Sequence, residues 1–267
     1  MPSLSPVPPA SVVAALRAAG CVFAEDEARL ILAAARTSDE AAAMVDRRVA
    51  GLPLELVVGH AEFGGLRIAV EPGVFVPRRR TEFLVEQALA QAPDAAVVVD
   101  LCCGSGAVGA ALAAALGRVE LHAADIDPAA TRCARRNVAA FGGHVHTGDL
   151  FAALPDALRG RVDILTANVP YVPSAEVGLL PAEAREHEPL VALDGGTDGL
   201  DILRAVATAA PGWLAPGGCL LVETSERQLP SAVEAFRGAG LETRSAYSEE
   251  MYATVVIGVG SGGVVRS

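Results

Sequence analysis

Apolar positions change their period along this chain, and each change marks a different kind of element. Over residues 11–19, 25–36 and 38–50 they recur every three or four positions, which predicts three short helices. Ser11 and Ser38 are expected to cap the first and third, with Gly20 and Gly51 as left-handed stops. Residues 54–76 turn strand-like, with runs at Leu54–Val58 and 66–70 around a Gly64-Gly65 turn, so a hairpin is expected. From Thr81 onward, β-type runs at 97–101, 120–124, 162–167 and 219–223 alternate with helical patterns near 107–116, 128–140, 200–213 and 229–239. Such alternation predicts a mostly parallel sheet with helices on both faces. Two runs at 241–246 and 252–259 lack an intervening helix and read as an antiparallel pair at the far edge of that sheet. The expected organisation is a helical unit (1–52), a hairpin linker (53–80) and an α/β domain (81–267).

Composition narrows what such a chain can do. No uncharged apolar run reaches the roughly 18 residues of a membrane span, and the start, MPSLSPVPPA, lacks the basic-then-apolar pattern of a leader. A cytoplasmic protein with no membrane partner is the expectation. A net charge of −11 disfavours sequence-independent nucleic-acid binding, which needs a basic surface, although Arg78, Arg79 and Arg80 form one local basic run. The five cysteines do not suggest a disulfide framework, and Cys102-Cys103 are adjacent rather than spaced as a metal pair. His144 and His146 alternate as residues on one face of an edge strand, and no metal site is expected.

The chemistry-bearing residues lie after successive strands. Cys102, Cys103, Gly104, Ser105 and Gly106 join the first strand of the α/β domain to its helix, with glycines for a tight turn and a helix N-terminus behind. With Gly109, and Asp125 about twenty residues beyond Gly104, this loop satisfies the dinucleotide fingerprint, so alone it does not separate NAD from S-adenosylmethionine. Asp125 is placed to take ribose hydroxyls, while Asp127 with Pro128 reads as a helix cap. Asp149, with Leu150 beside it, ends the next strand, where a carboxylate can meet the exocyclic amine of adenine or merely cap a helix. After the fourth strand comes Asn168-Val169-Pro170-Tyr171.

That tetrapeptide resembles the Asn-Pro-Pro-Tyr of amino methyltransferases. The resemblance implies that the Asn168 side chain and the following backbone carbonyl accept hydrogen bonds from a target NH2, with the Tyr171 ring lining the pocket. Two fixed acceptors would orient the nitrogen for in-line attack on a methyl group about 3 Å away. Val169 stands where the first proline is usual; its carbonyl survives, and Pro170 still biases it toward extended backbone.

The ordered motifs over residues 60–259 extend the likeness. They include the segment 76–82, the Gly104 loop, Asp125, residues 148–151, Asn168 to Tyr171, Glu188-Pro189, residues 192–199, 221–223 and Gln228. Together they resemble the protein-(glutamine-N5) methyltransferases that modify peptide-chain release factors. The resemblance implies a Rossmann-like, seven-stranded S-adenosylmethionine methyltransferase domain, a helical unit that docks the substrate, and transfer to a protein glutamine amide, in a release factor or a related protein. Cys102-Cys103 replaces the usual Gly-Thr, Arg79-Arg80 the usual Pro-Glu, and the helical unit is short for the family. An adenine-N6 nucleic-acid methyltransferase shares the Asn-to-Tyr chemistry. An NAD oxidoreductase leaves Asp149 and Asn168 to Tyr171 without a role, and a non-catalytic cofactor-binding relative is suggested only by Val169.

Overall fold

The computed structural model describes residues 9–260; the proline-rich lead at 1–8 and residues 261–267 of the expected α/β domain lie outside them. The helical unit comprises α1 (Ala10–Ala18), α2 (Ala24–Ala34) and α3 (Ser38–Val49). Leu16, Ile31, Met44 and Val45 fill its small core together with Val57. Gly20 and Gly51 adopt left-handed backbone as expected, but the caps differ. Pro9 precedes α1, so Ser11 lies inside the first turn, and Thr37, whose hydroxyl accepts the Glu40 N–H at 3.1 Å, displaces Ser38 as cap of α3.

Leu54–Val58, expected as a strand, is the short helix α4. Pro53 sets its entry, Gly59 closes it at φ +81°, and Leu56 and Val57 point into the core. The hairpin follows as β1 (His60–Phe63) and β2 (Leu66–Ala69), turned by Gly64 and Gly65, both at positive φ.

The larger sheet is reached through α5 (Glu82–Gln91), and its elements follow the alternation read from the sequence. They are β3 (Val97–Leu101), α6 (Ala107–Leu116), β4 (Glu120–Asp125), α7 (Pro128–Val138), β5 (His144–Thr147) and β6 (Val162–Ala167). Then come α8 (Ala182–His187), α9 (Asp201–Ala209), β7 (Leu214–Thr224), α10 (Leu229–Gly238), β8 (Leu241–Ser248) and β9 (Ala253–Gly260). The strand order is β5-β4-β3-β6-β7-β9-β8, with β9 antiparallel to both neighbours and the other pairings parallel.

β3 is buried at every residue, and its side chains alternate between two cores. Val97, Val99 and Leu101 join Trp213 and Phe236, whereas Val98 joins Leu84 and Leu112. A strand covered on both faces reads as a continuous apolar run, which is why VVV precedes the site. β5 forms the open edge, where the His122 Nδ1 and His146 Nε2 atoms share a 2.9 Å hydrogen bond. The chain runs outward through β4 and β5 on one side of β3, then crosses to β6 on the other. This reversal opens a crevice beyond the carboxyl ends of β3 and β6.

Candidate active site

The loop after β3 is held by carboxylates rather than left open for an anion. The Gly104 N–H donates to Asp125 Oδ2 at 2.8 Å, and the Asp127 N–H to Asp125 Oδ1 at 2.9 Å. Deeper, the Gly109 N–H in the first turn of α6 donates to Asp100 Oδ2 at 2.9 Å, and the Thr166 hydroxyl to Asp100 Oδ1 at 3.1 Å. Burial pushes the Asp100 carboxyl up to about 7, with the Asp125 charge adding to the push while the Gly109 and Thr166 bonds pull the other way. Burial also raises Asp125, against its backbone donors. Cys102 occupies left-handed backbone at φ +52°, a conformation to which glycine is better suited. Its thiol is pushed far up by burial and by Asp125 and Asp100, so it is a neutral wall atom and not a nucleophile. At Gly106, φ +78°, an added Cβ would come within 3.1 Å of Ala134 Cβ, so α7 closes on the loop from behind.

One cleft of about 450 Å³ gathers Cys102, Cys103, Gly104, Ser105, Asp125, Asp149, Leu150, Asn168, Val169, Pro170 and Tyr171. Gly106 alone of the expected residues does not line it and serves packing. The donor set decides what this cleft can hold. The N–H groups of Gly104 and Gly109 already donate to carboxylates, and Asp100, Asp125, Asp127 and Asp149 line the wall. An anionic dinucleotide is disfavoured there; a cationic sulfonium with an apolar adenosyl body fits. Asp149 precedes a one-turn 3₁₀ helix without capping it, so its carboxylate stays free to accept. Ile126, which follows Asp125 in the chain and is 53% exposed, lines the cleft with apolar surface on which a base can rest; the sequence reading missed it. Asp127 caps α7 through the Ala129 N–H at 2.8 Å, as expected.

The opposite wall is the segment after β6. Neither the Asn168 side chain nor the Val169 carbonyl is engaged by any described residue, so both acceptors remain available. The Val169 side chain is 2% exposed and turned into the core beside Val222 and Leu200, so the exchange of proline for valine leaves no gap in this wall. The backbone of the wall is pinned from behind. Val172 N–H donates to the Leu193 carbonyl at 3.0 Å, Gly195 N–H to the Val172 carbonyl at 2.9 Å, and Gln228 Nε2 to the Tyr171 carbonyl at 2.9 Å. Gly199, φ +78°, lies so close that a Cβ there would come within 2.2 Å of the Tyr171 oxygen.

Two ion pairs complete this end. Arg78 donates to Glu188 and lies 5.2 Å over the Phe75 ring, and Arg80 donates to Glu223 Oε1 at 2.9 Å and to the Tyr171 hydroxyl. Burial raises Glu188, opposed by Arg78, and raises Tyr171 with help from Glu223. These partners are separated by up to 143 positions in the chain, and no local periodicity announces them.

The profile of the methyltransferase small domain family matches residues 65–180. A release factor glutamine methyltransferase from Geobacter sulfurreducens is 41% identical over 199 residues, covering 74% of this chain and 69% of the relative. The chain belongs to the release factor glutamine methyltransferase family. A second relative of similar likeness is the 4-amino-L-phenylalanine/4-methylamino-L-phenylalanine methyltransferase of Streptomyces pristinaespiralis, 39% identical over 205 residues, 73% of this chain and 69% of that one. Among solved structures, a 16S rRNA methyltransferase of T. thermophilus in complex with S-adenosylmethionine and guanosine shares the fold. It has a TM-score of 0.53 and 20% identity, and covers 75% of this chain and 49% of that one. The family is one of S-adenosylmethionine methyltransferases, in agreement with the donor set of the cleft.

Proposed function

We propose that this enzyme methylates the side-chain amide nitrogen of a glutamine in a protein, a release factor or a related protein. Asn168, Val169, Pro170 and Tyr171 form the acceptor site, and Cys102, Cys103, Gly104, Ser105, Asp125, Asp149, Leu150 and Asn168 serve the donor, with Gly106 packing behind the loop. The observation that carries this reading is the pair of unengaged acceptors, the Asn168 amide oxygen and the Val169 carbonyl, on a wall pinned from behind.

When bound, S-adenosylmethionine supplies an electrophilic methyl group on a sulfonium sulfur. Asp125 and Asp149 would hold the ribose and adenine ends, and Ile126 and Leu150 in the same lining would offer apolar surface to the base. Asn168 and Val169 accept the two hydrogens of the amide NH2, which turns the nitrogen lone pair out of conjugation and toward the donor. Both hydrogen bonds strengthen as positive charge builds on nitrogen, so they favour the transition state over the ground state. Tyr171 closes the pocket against water.

The helical unit, residues 1–52, docks the protein acceptor in this reading. It exposes Val22 at 84% and Phe23 at 69%, an apolar corner suited to a protein surface. It also reaches the cleft wall, because Arg48 Nη1 lies 3.8 Å from Glu183 in α8. The likeness to the 4-amino-L-phenylalanine methyltransferase favours a second reading, transfer to an arylamine, whose NH2 needs the same two acceptors.

The test is incubation with methyl-labelled S-adenosylmethionine and purified release factors, or with 4-amino-L-phenylalanine, followed by mass spectrometry. Label on a glutamine amide, reduced on the order of 10²–10³-fold by Asn168→Ala with cofactor affinity retained, supports the reading. Label on the arylamine alone replaces it with the second.

A further inference from the structure

Position 80 carries a cation where the family's motif has an acid, and the structure gives that cation two partners at once. Arg80 Nε donates to Glu223 Oε1 at 2.9 Å, and Nη2 donates to the Tyr171 hydroxyl. Its guanidinium carbon lies 6.0 Å from the centre of the Tyr171 ring. Glu223, at the carboxyl end of β7, has a side chain only 3% exposed, and its second oxygen has no partner. A cation beside such a carboxylate offsets the cost of burying its charge. The Tyr171 backbone is already pinned through its carbonyl, but among the described residues its hydroxyl has a single hydrogen-bond partner, Arg80. A flat guanidinium can serve two acceptors in different directions at fixed angles; a lysine ammonium on its flexible stem does not reproduce that fork. The glutamate usual at this position would face Glu223 as a like charge.

From this geometry we infer that Arg80 is a positioning residue of the active site, which fixes the Tyr171 ring at the acceptor end of the cleft through one guanidinium shared with Glu223. The inference rests on the reading of Asn168 to Tyr171 as the acceptor wall. Arg80 also lines the cleft, but its two partners there are Glu223 and Tyr171, so its loss lowers turnover more than it loosens the donor site.

Arg80→Lys keeps a positive charge beside Glu223, and a second variant, Arg80→Met with Glu223→Gln, removes both charges so that no carboxylate is left buried alone. Both are made in protein labelled with carbon-13 at the tyrosine ζ position; the chain has three tyrosines, and Tyr171→Phe identifies the signal. In both variants the Tyr171 resonance moves, and under Arg80→Lys its ionisation shifts upward as the fork that opposes burial is lost. Turnover of the labelled methyl group falls roughly 10- to 100-fold, and the KM for S-adenosylmethionine stays within about threefold. Adding Arg80→Lys to Tyr171→Phe costs little more than Tyr171→Phe alone, because the two act as one unit.

An unmoved Tyr171 resonance in both variants overturns the inference, as do losses that multiply in the double variant. The resonance needs no methyl acceptor. An enzyme that labels no glutamine at all would therefore refute the proposed reaction while Arg80 is still judged by the tyrosine signal.

Discussion

Gly199 shows how one missing carbon decides the shape of the acceptor wall. Its left-handed backbone and the 2.2 Å approach of an added Cβ to the Tyr171 oxygen leave no rotamer that relieves the clash, since the obstructing atom is backbone. Gly199→Ala is expected to destabilise the fold by at least about 2 kcal/mol in urea denaturation and to lower methyl transfer in whatever fraction folds. Cys102 is the converse, a side chain kept in backbone that glycine prefers. Cys102→Val, β-branched at φ +52°, should cost more than about 1 kcal/mol, whereas Cys102→Gly should change stability little; thermal melts compare the two.

At the scale of elements, Asp100 joins β3 to β6 and to the start of α6, and it does so as a carboxyl whose proton leaves near pH 7. Its folded value is raised. Between about pH 4 and pH 7 the native state therefore keeps a proton that the unfolded chain has released, and stability falls as pH rises through that window, by at most about 1.4 kcal/mol per pH unit for one group. Asp100→Asn should flatten that part of the stability profile relative to the parent; an unchanged slope would show that Asp100 is not its source. Glu188, raised by burial too, remains in both proteins and cancels from the comparison, whereas Asp125 loses a like-charged neighbour in the variant and contributes to the difference.

Most elements of the α/β sheet were legible because the buried strands show as apolar runs and the longer helices between them show their period; α5 and α8 were not read from the sequence. Leu54–Val58 was not, since five mostly apolar residues fit one helical turn as well as a strand, and the deciding signals are its neighbours Pro53 and Gly59. The caps failed for a similar reason: Thr37 and Ser38 are both good caps, and only the entry direction of the chain chooses between them. In the site, the glycine loop, Asp125, Asp149 and Asn168 to Tyr171 could be read from their places after strands. Residues 192–199 and Gln228 stood out only by resemblance, and their work as a brace behind Tyr171 depends on contacts between distant segments.

Over the whole molecule, the helical unit and α8 meet around Arg48, whose Nε donates to Glu27 Oε2 at 2.7 Å, whose Nη1 reaches the Leu52 carbonyl at 3.3 Å, and which faces Glu183 in α8. If the apolar corner of the unit receives a protein acceptor, Val22→Asp with Phe23→Asp should raise the KM for that protein about tenfold or more while leaving the KM for S-adenosylmethionine unchanged. A small acceptor would be indifferent to the change.

Asn137 ties a second pair of distant parts together. Its Oδ1 accepts the Ala69 N–H at 2.9 Å, and its Nδ2 donates to the Ala69 carbonyl at 2.9 Å and to the Ser105 carbonyl at 2.8 Å. The end of the hairpin and the donor loop thus hang from one side chain. For the Ala69 amide to trade its hydrogen for deuterium, Asn137 must let go, and that release also removes one of the bonds that hold the loop. Ala69 therefore serves as a remote gauge of the loop: its exchange should slow when S-adenosylmethionine is added, although the residue lies outside the cleft.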